Sequence, residues 1–309
     1  MSLLLSSKIK VMMSIMSMDD IEKATENPEA SVHLKSGLYI VATPIGNLRD
    51  ISLRALEVLR NADVIMCEDT RVTRKLLHAY QIKGKLYSYN DHSDETRRQS
   101  IVEQVSAGQV VALVSDAGMP LISDPGYKLV RDCEAEGVYI TTIPGASAPL
   151  AALQISGLPS DRFCFIGFLP NKTGARQKLL TQWRDVPGTL LAFETAPRLL
   201  AALQDIESVL GAREVAVVRE ITKMYEEVRK DIPSVLRAHY EEEGLPRGEI
   251  VLVIAPPEEV EISDEDVHDM IRDALQTMRT KEAAAAVAEK TGRKKNDLYN
   301  IALKISKDS

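Results

Sequence analysis

Along most of this chain, short apolar runs alternate with stretches of helical spacing, and each run ends in a knot of small, prolyl or charged residues. Gly37–Ala42, Asp63–Cys67, Gln109–Val114 and Val138–Ile143 are the first four runs. Between them, Ser52–Asn61, Val72–Tyr80, Ser93–Ala107 and Tyr127–Glu136 have helical periodicity, the last with Gly137 as its C-cap. Strands separated by helix-length crossovers lie parallel, so the alternation predicts an α/β layer with a largely parallel sheet.

A second set follows. Phe163–Gly167, Gly188–Phe193, Glu214–Arg219 and Glu249–Ala255 read as strands, and Ala175–Trp183 and Arg198–Leu210 as helices, which predicts a second α/β domain of mixed order. Pro256-Pro257 and the acidic stretch through Asp266 read as a linker. Beyond it Ser263 caps a helix through Met278, Thr280 caps Lys281–Lys290, Thr291-Gly292-Arg293 turns, and Lys294–Ile305 is helical. The expected organisation is a flexible extension over 1–36, α/β domains over 37–157 and 158–256, and a helical tail over 263–309.

Charge and cysteine usage narrow the chemistry. The chain has 38 basic against 45 acidic residues, a net charge of −7, so any nucleic-acid contact needs a local basic patch. The tail supplies one: Arg279 to Ser309 holds eight basic and four acidic residues, a balance of +4. Cys67, Cys133 and Cys164 lack C-x-x-C spacing and the five histidines lack ligand spacing, which argues for free thiols in the cytoplasm and against a metal. Lys8 and Lys10 interrupt the apolar N-terminus and no small-residue cleavage site follows, against a signal peptide. No run of about 18 apolar residues predicts a membrane span.

The chemistry concentrates where strands end. Ser115 to Gly126 is dense in small residues that let a backbone approach a ligand, stiffened by Pro120 and Pro125, with Asp116 and Asp124 as acceptors. Pro144-Gly145-Ala146-Ser147-Ala148 and Thr43-Pro44-Ile45-Gly46-Asn47 repeat the pattern at other strand ends, where open α/β sheets bind ligands. No Walker loop or G-x-G-x-x-G fingerprint occurs.

These loops, taken in order with Glu68-Asp69-Thr70-Arg71, Gly167-Phe168-Leu169-Pro170, Arg219-Glu220-Ile221-Thr222-Lys223 and Gly248-Glu249, resemble the tetrapyrrole-methylase superfamily. Within it they are similar to the branch that methylates a cytidine ribose 2′-hydroxyl of 16S ribosomal RNA. The resemblance covers about Gly37 to Ala255 and the tail; Met119 departs from it, standing where threonine is frequent. It implies two α/β domains with S-adenosylmethionine in the cleft between them, a homodimer, and the small ribosomal subunit as partner. It also implies that Ser115, Asp116, Ala117, Gly118, Ile122, Ser123 and Asp124 flank the donor's methionine part. Pro44, Ala146, Ser147, Ala148, Phe193 and Glu194 are expected to complete its site.

Methyl transfer to a hydroxyl needs alignment and a proton acceptor. Glu68, Asp69 and Lys223 are the candidate acceptors, with Arg71 orienting a phosphate. Asn47, Arg49, Asn171, Lys172, Arg176 and Arg198 are candidate RNA ligands in nearby loops. The competing readings are methylation of a tetrapyrrole or corrin precursor, and a ligand-sensing helix-turn-helix regulator that transfers nothing.

Overall fold

The computed structural model describes residues 33–89, 95–258 and 263–308. The expected extension over 1–36 therefore lies almost wholly outside the described residues, as does the start of the helix expected from Ser93.

The first layer is a five-stranded parallel sheet in the order β3-β2-β4-β1-β5. Its strands are β1 (Gly37–Val41), β2 (Val64–Cys67), β3 (Leu86–Ser88), β4 (Val110–Val114) and β5 (Ile140–Ile143). Alternation along β4 sends Val110, Ala112 and Val114 to one face and Val111 and Leu113 to the other. The first face is covered by α1 (Leu53–Asn61) and α2 (Thr70–Ala79), through Leu56, Leu59 and Leu77. The second is covered by α3 (Glu95–Ser106) and α4 (Tyr127–Ala135), through Ile101, Val105 and Leu129. Leu59, Ile101 and Leu129 are fully buried, each contributing about 2 kcal/mol, so packing rather than helix propensity holds these short helices. Local signals set their ends: Ser52 accepts from Ala55 N–H at the start of α1, and Gly137 follows α4 at φ +67°.

The second sheet runs β6-β7-β10-β8-β9, with β6–β7 parallel and the other pairs antiparallel. It comprises β6 (Phe163–Phe168), β7 (Thr189–Thr195), β8 (Val215–Arg219), β9 (Glu227–Asp231) and β10 (Glu249–Ile254). One face carries α6 (Thr173–Trp183), α7 (Leu199–Leu210) and α8 (Pro233–Glu242). The other carries α5 (Ala148–Ser156), which packs Ala152 and Leu153 on Leu191, Ala216 and Val251. A division at residue 157 would put α5 with the first sheet, yet its contacts are with the second.

Four elements escape the sequence pattern: β3, β9, α5 and α8. β9 reads Glu-Val-Arg-Lys-Asp because it is an edge strand, where charge is the usual protection against further pairing. The strand expected over 138–143 begins only at Ile140. Arg176 corrects a second expectation: it lies in α6, 1% exposed and paired with Asp205 at 2.6 Å, so it is no RNA ligand.

The tail, from Glu258, is a separate compact unit. Its helices α9 (Asp264–Leu275), α10 (Thr280–Thr291) and α11 (Lys295–Asp308) enclose Val267, Ile271, Ala284, Val287, Leu298 and Ala302. Ser263 caps α9 through Asp266 N–H, as expected, whereas Arg279 rather than Thr280 holds the N-cap position of α10. Gly292 makes the turn into α11 at φ +67°.

Candidate active site

β1 and β4 are neighbours in the first sheet, but the chain leaving β1 enters α1 on one face and the chain leaving β4 enters α4 on the other. Adjacent strands whose connections part in this way leave a crevice beyond their carboxyl ends. Thr43 and Gly118 close its floor with a reciprocal backbone pair at 2.9 and 3.1 Å. The opposite wall comes from the second sheet, where β7 and β10 pair Phe193 with Val251, Glu194 with Ile250 and Thr195 with Glu249. Between them lies a cavity of about 430 Å³.

Of the residues expected around a donor, Asp116, Ala117, Gly118, Ile122, Ser123, Asp124, Ser147, Ala148, Phe193 and Glu194 line this cavity. Pro44, Ser115 and Ala146 are not on its wall. Ser115 is buried and its hydroxyl donates to Ala117 O at 3.2 Å, so it holds the loop rather than facing the space. Ala146 packs into the core beneath the second sheet. The cavity also takes in Ile45, Met119, Pro149, Phe168, Thr195, Ile221 and Gly248–Val251, which the expectation omitted. Gly167-Phe168 and Gly248-Glu249 were visible as motifs; that β10 pairs β7 was not, because pairing is non-local.

The wall is acidic. Asp116, Asp124, Glu194 and Glu249 line it, and among the described residues no lysine or arginine does. Burial pushes the Asp124 carboxyl above its ordinary value; the Ser115 hydroxyl opposes the shift and the nearby Asp116 charge adds to it. Glu194 has a fully buried side chain and accepts from Arg198 Nε at 2.6 Å and from Thr195 N–H at 2.7 Å. Arg198 also donates to Leu169 O at 2.8 Å and to the Asn171 side chain, so these two expected RNA ligands are spent on holding the cavity wall.

Glu68, Asp69, Arg71 and Lys223 lie outside the lining. Asp69 is the N-cap of α2 and its own N–H donates to Asp116 Oδ1 at 3.0 Å, which fixes the helix start beside the cavity. The Arg71 guanidinium, hydrogen-bonded to the Asp69 carboxylate at 2.7 Å, holds its pKa down to about 2. Partial burial pulls the Lys223 ammonium down, but hydrogen bonds to Glu249 at 2.8 Å and Glu220 at 2.9 Å outweigh it and raise its pKa. Both shifts work against the expectation that Asp69 or Lys223 accepts a proton: the lowered pKa makes the Asp69 carboxylate a weaker base, and the raised one holds the Lys223 proton more firmly.

Backbone strain gathers here. Leu121, Ser123, Glu220 and Thr222 have positive φ, four of the five non-glycine residues that do so among the described residues. A side chain is held in that region only where surroundings over-determine it. The loop after β8 is so held: Asn47 N–H donates to Thr222 Oγ1 at 3.2 Å, and Thr222 N–H to Glu226 Oε2 at 2.6 Å. Gly248, at φ +96°, leaves no room for a Cβ, which would sit 2.2 Å from Glu220 Oε1. Among the described residues no group of three or more His, Cys, Asp or Glu could hold a metal, and no helix is long and apolar enough to cross a membrane.

Comparison with known proteins agrees with this geometry. Residues 261–306 match the family described as the RsmI C-terminal HTH domain. A protein of Erythrobacter litoralis is 52% identical over 272 residues, spanning 88% of this chain and 96% of its own length. One of Mesorhizobium japonicum is 44% identical over 277 residues, spanning 89% and 94%. Both are named ribosomal RNA small subunit methyltransferase I. Among solved structures, diphthine synthase superposes with a TM-score of 0.55 at 17% identity, covering 71% of this chain and 89% of its own. A cobalt precorrin-4 methyltransferase gives 0.54 at 18%, covering 71% and 94%; the likeness to both is one of fold. Residues 37–233 match the family of tetrapyrrole (corrin/porphyrin) methylases, and with two α/β sheets facing one cavity at their strand ends, the chain belongs to that family.

Proposed function

We propose that this chain uses S-adenosylmethionine to methylate the 2′-hydroxyl of a cytidine ribose in 16S ribosomal RNA, as a metal-independent homodimer in the cytoplasm. The relatives of near-full length, named for the small ribosomal subunit, support the RNA substrate. The tail, matching a helix-turn-helix family and carrying a +4 balance, supports nucleic-acid contact through phosphates.

The observation that carries the donor is the cavity itself. Asp116 and Asp124, the two lining carboxylates without a lysine or arginine ion-pair partner among the described residues, suit a ligand with a sulfonium and an ammonium, and Phe168 and Phe193, with ring centroids 5.0 Å apart, offer apolar faces to a purine. Ala117, Gly118, Ser123 and Asp124 would hold the methionine part; Ser147, Ala148, Phe193 and Glu194 would border the adenosine. Bound there, S-adenosylmethionine supplies an electrophilic methyl group. The protein's share is to align the hydroxyl and take its proton. Glu68, Asp69 and Lys223 are the candidate acceptors; the Arg71 guanidinium lowers the Asp69 pKa and the Glu249 and Glu220 hydrogen bonds raise that of Lys223, which favours Glu68 among the three. Arg71, its side chain 83% exposed, is available to a phosphate.

The test is direct. Purified protein given labelled donor and small ribosomal subunits should place label on one ribose 2′-oxygen, found by nucleotide-resolution mapping. Label entering a tetrapyrrole and not RNA would overturn the reading, and donor binding with no transfer to either would favour a regulator.

Donor affinity should also depend on pH. An aspartate whose pKa is raised in the free protein is neutral over a wider acid range than the usual 3.8 implies. A cationic donor prefers the ionised carboxylate, so affinity is full above Asp124's raised pKa and falls as pH drops through it, with proton release on binding. Calorimetry from neutral to acid pH should show this slope, flattened in Asp124→Asn; equal slopes in both proteins would remove Asp124 from the donor site.

A further inference from the structure

We propose that the solvent face of α2 is a phosphate-binding ridge that guides the RNA backbone to the cavity. This rests on the reading that the substrate is RNA.

α2 places Arg71, Arg74, Lys75 and His78 at positions i, i+3, i+4 and i+7, all exposed and on one face. Thr73, Leu76 and Leu77, on the opposite face, are buried against the sheet. The helix contains no aspartate or glutamate, in a chain where acids outnumber bases 45 to 38. A face that serves only solubility ordinarily mixes signs, as α8 does, where Arg237 bridges Glu207 and Glu241. On α2 only Arg71 has a carboxylate partner, its own cap residue Asp69; Arg74 and Lys75 have none among the described residues.

Position gives the ridge its use. Its N-terminal end is tied to the cavity wall by the Asp69 N–H to Asp116 Oδ1 hydrogen bond. From there Arg71, Arg74, Lys75 and His78 recede along about 10 Å of helix. Beside it the edge strand β3 presents exposed Tyr87, with the Arg97 guanidinium 5.4 Å from its ring. Basic side chains in a row bind a polyanion by releasing its counterions, and each contact adds to the salt dependence of binding.

The experiment uses the full chain, with 16S ribosomal RNA as the probe. Arg74→Ala/Lys75→Ala should leave donor affinity unchanged by calorimetry, which also shows that the cavity is folded. Its RNA dissociation constant should rise roughly tenfold near physiological salt, and the slope of log affinity against log salt should become shallower by about 2, one per phosphate contact. A control pair, Lys128→Ala/Arg131→Ala, removes the same charge from α4 across the sheet and should change RNA affinity less than about twofold. Equal losses in both pairs would mean that overall charge acts, and would overturn the ridge. An unchanged salt slope in the α2 pair, with wild type binding and methylating RNA, would overturn the ridge and leave the proposed function standing. A wild type that neither binds nor methylates RNA would overturn both.

Discussion

Arg176→Ala is expected to destabilise the α/β core by about 3–5 kcal/mol, because it strands a buried carboxylate. Arg176 is 1% exposed and Asp205 4%. The guanidinium donates to Asp205 at 2.6–2.7 Å and to Pro170 O at 3.0 Å, while Gln177 donates to the other Asp205 oxygen at 2.8 Å. Removing the arginine leaves Asp205 with one neutral donor in a dry interior. Thermal unfolding should begin roughly 6–20 °C lower, at about 2–4 °C per kcal/mol for a domain of this size. The double variant Arg176→Met/Asp205→Leu should recover much of the loss, since replacing both partners removes the stranded charge. The consequence reaches the cavity, because Arg176 fixes the backbone of Pro170 and Asn171, and Asn171 in turn holds Arg198 against Glu194. A loss under about 1 kcal/mol would mean that water reaches Asp205 in the variant.

Asp116→Ala should weaken donor binding about tenfold to a hundredfold, which corresponds to the roughly 1.5–3 kcal/mol of one charge-assisted contact. Asp116 serves twice. It lines the cavity, and its Oδ1 accepts the Asp69 N–H that anchors the start of α2. Asp116→Asn keeps an acceptor for Asp69 and removes only the charge, so it should retain more affinity than alanine. Calorimetry with the donor and filter binding with RNA separate the effects, with the donor constant moving more. Equal, small changes in both variants would show that Asp116 supports the loop and does not meet the cation.

The buried strands were legible because both faces are covered: β4 is Val-Val-Ala-Leu-Val, all of it buried. The loop after it was legible because close backbone approach to a ligand demands small residues there, and ten of the thirteen expected donor residues do line one cavity. Caps at Ser52 and Ser263 were legible because capping is local chemistry.

What stayed hidden depends on contacts far apart in sequence. β9 carries four charge-bearing residues and one valine, so only its pairing with β8 identifies it as a strand. Thr195 and Glu249 reach the cavity through the antiparallel pairing of β7 with β10. Arg176, Asn171 and Arg198 looked like exposed RNA ligands, but Arg176 is paired with Asp205, 29 residues on, and Arg198 joins Asn171, 27 residues back, to Glu194, four residues back. The protonation of Asp69 and Lys223 likewise follows from neighbours assembled by folding. The residue types and their local order settled the family of fold and the loops that line the cavity; long-range packing settled which charges have partners, since a charge is spent or available according to the partner that the fold sets beside it.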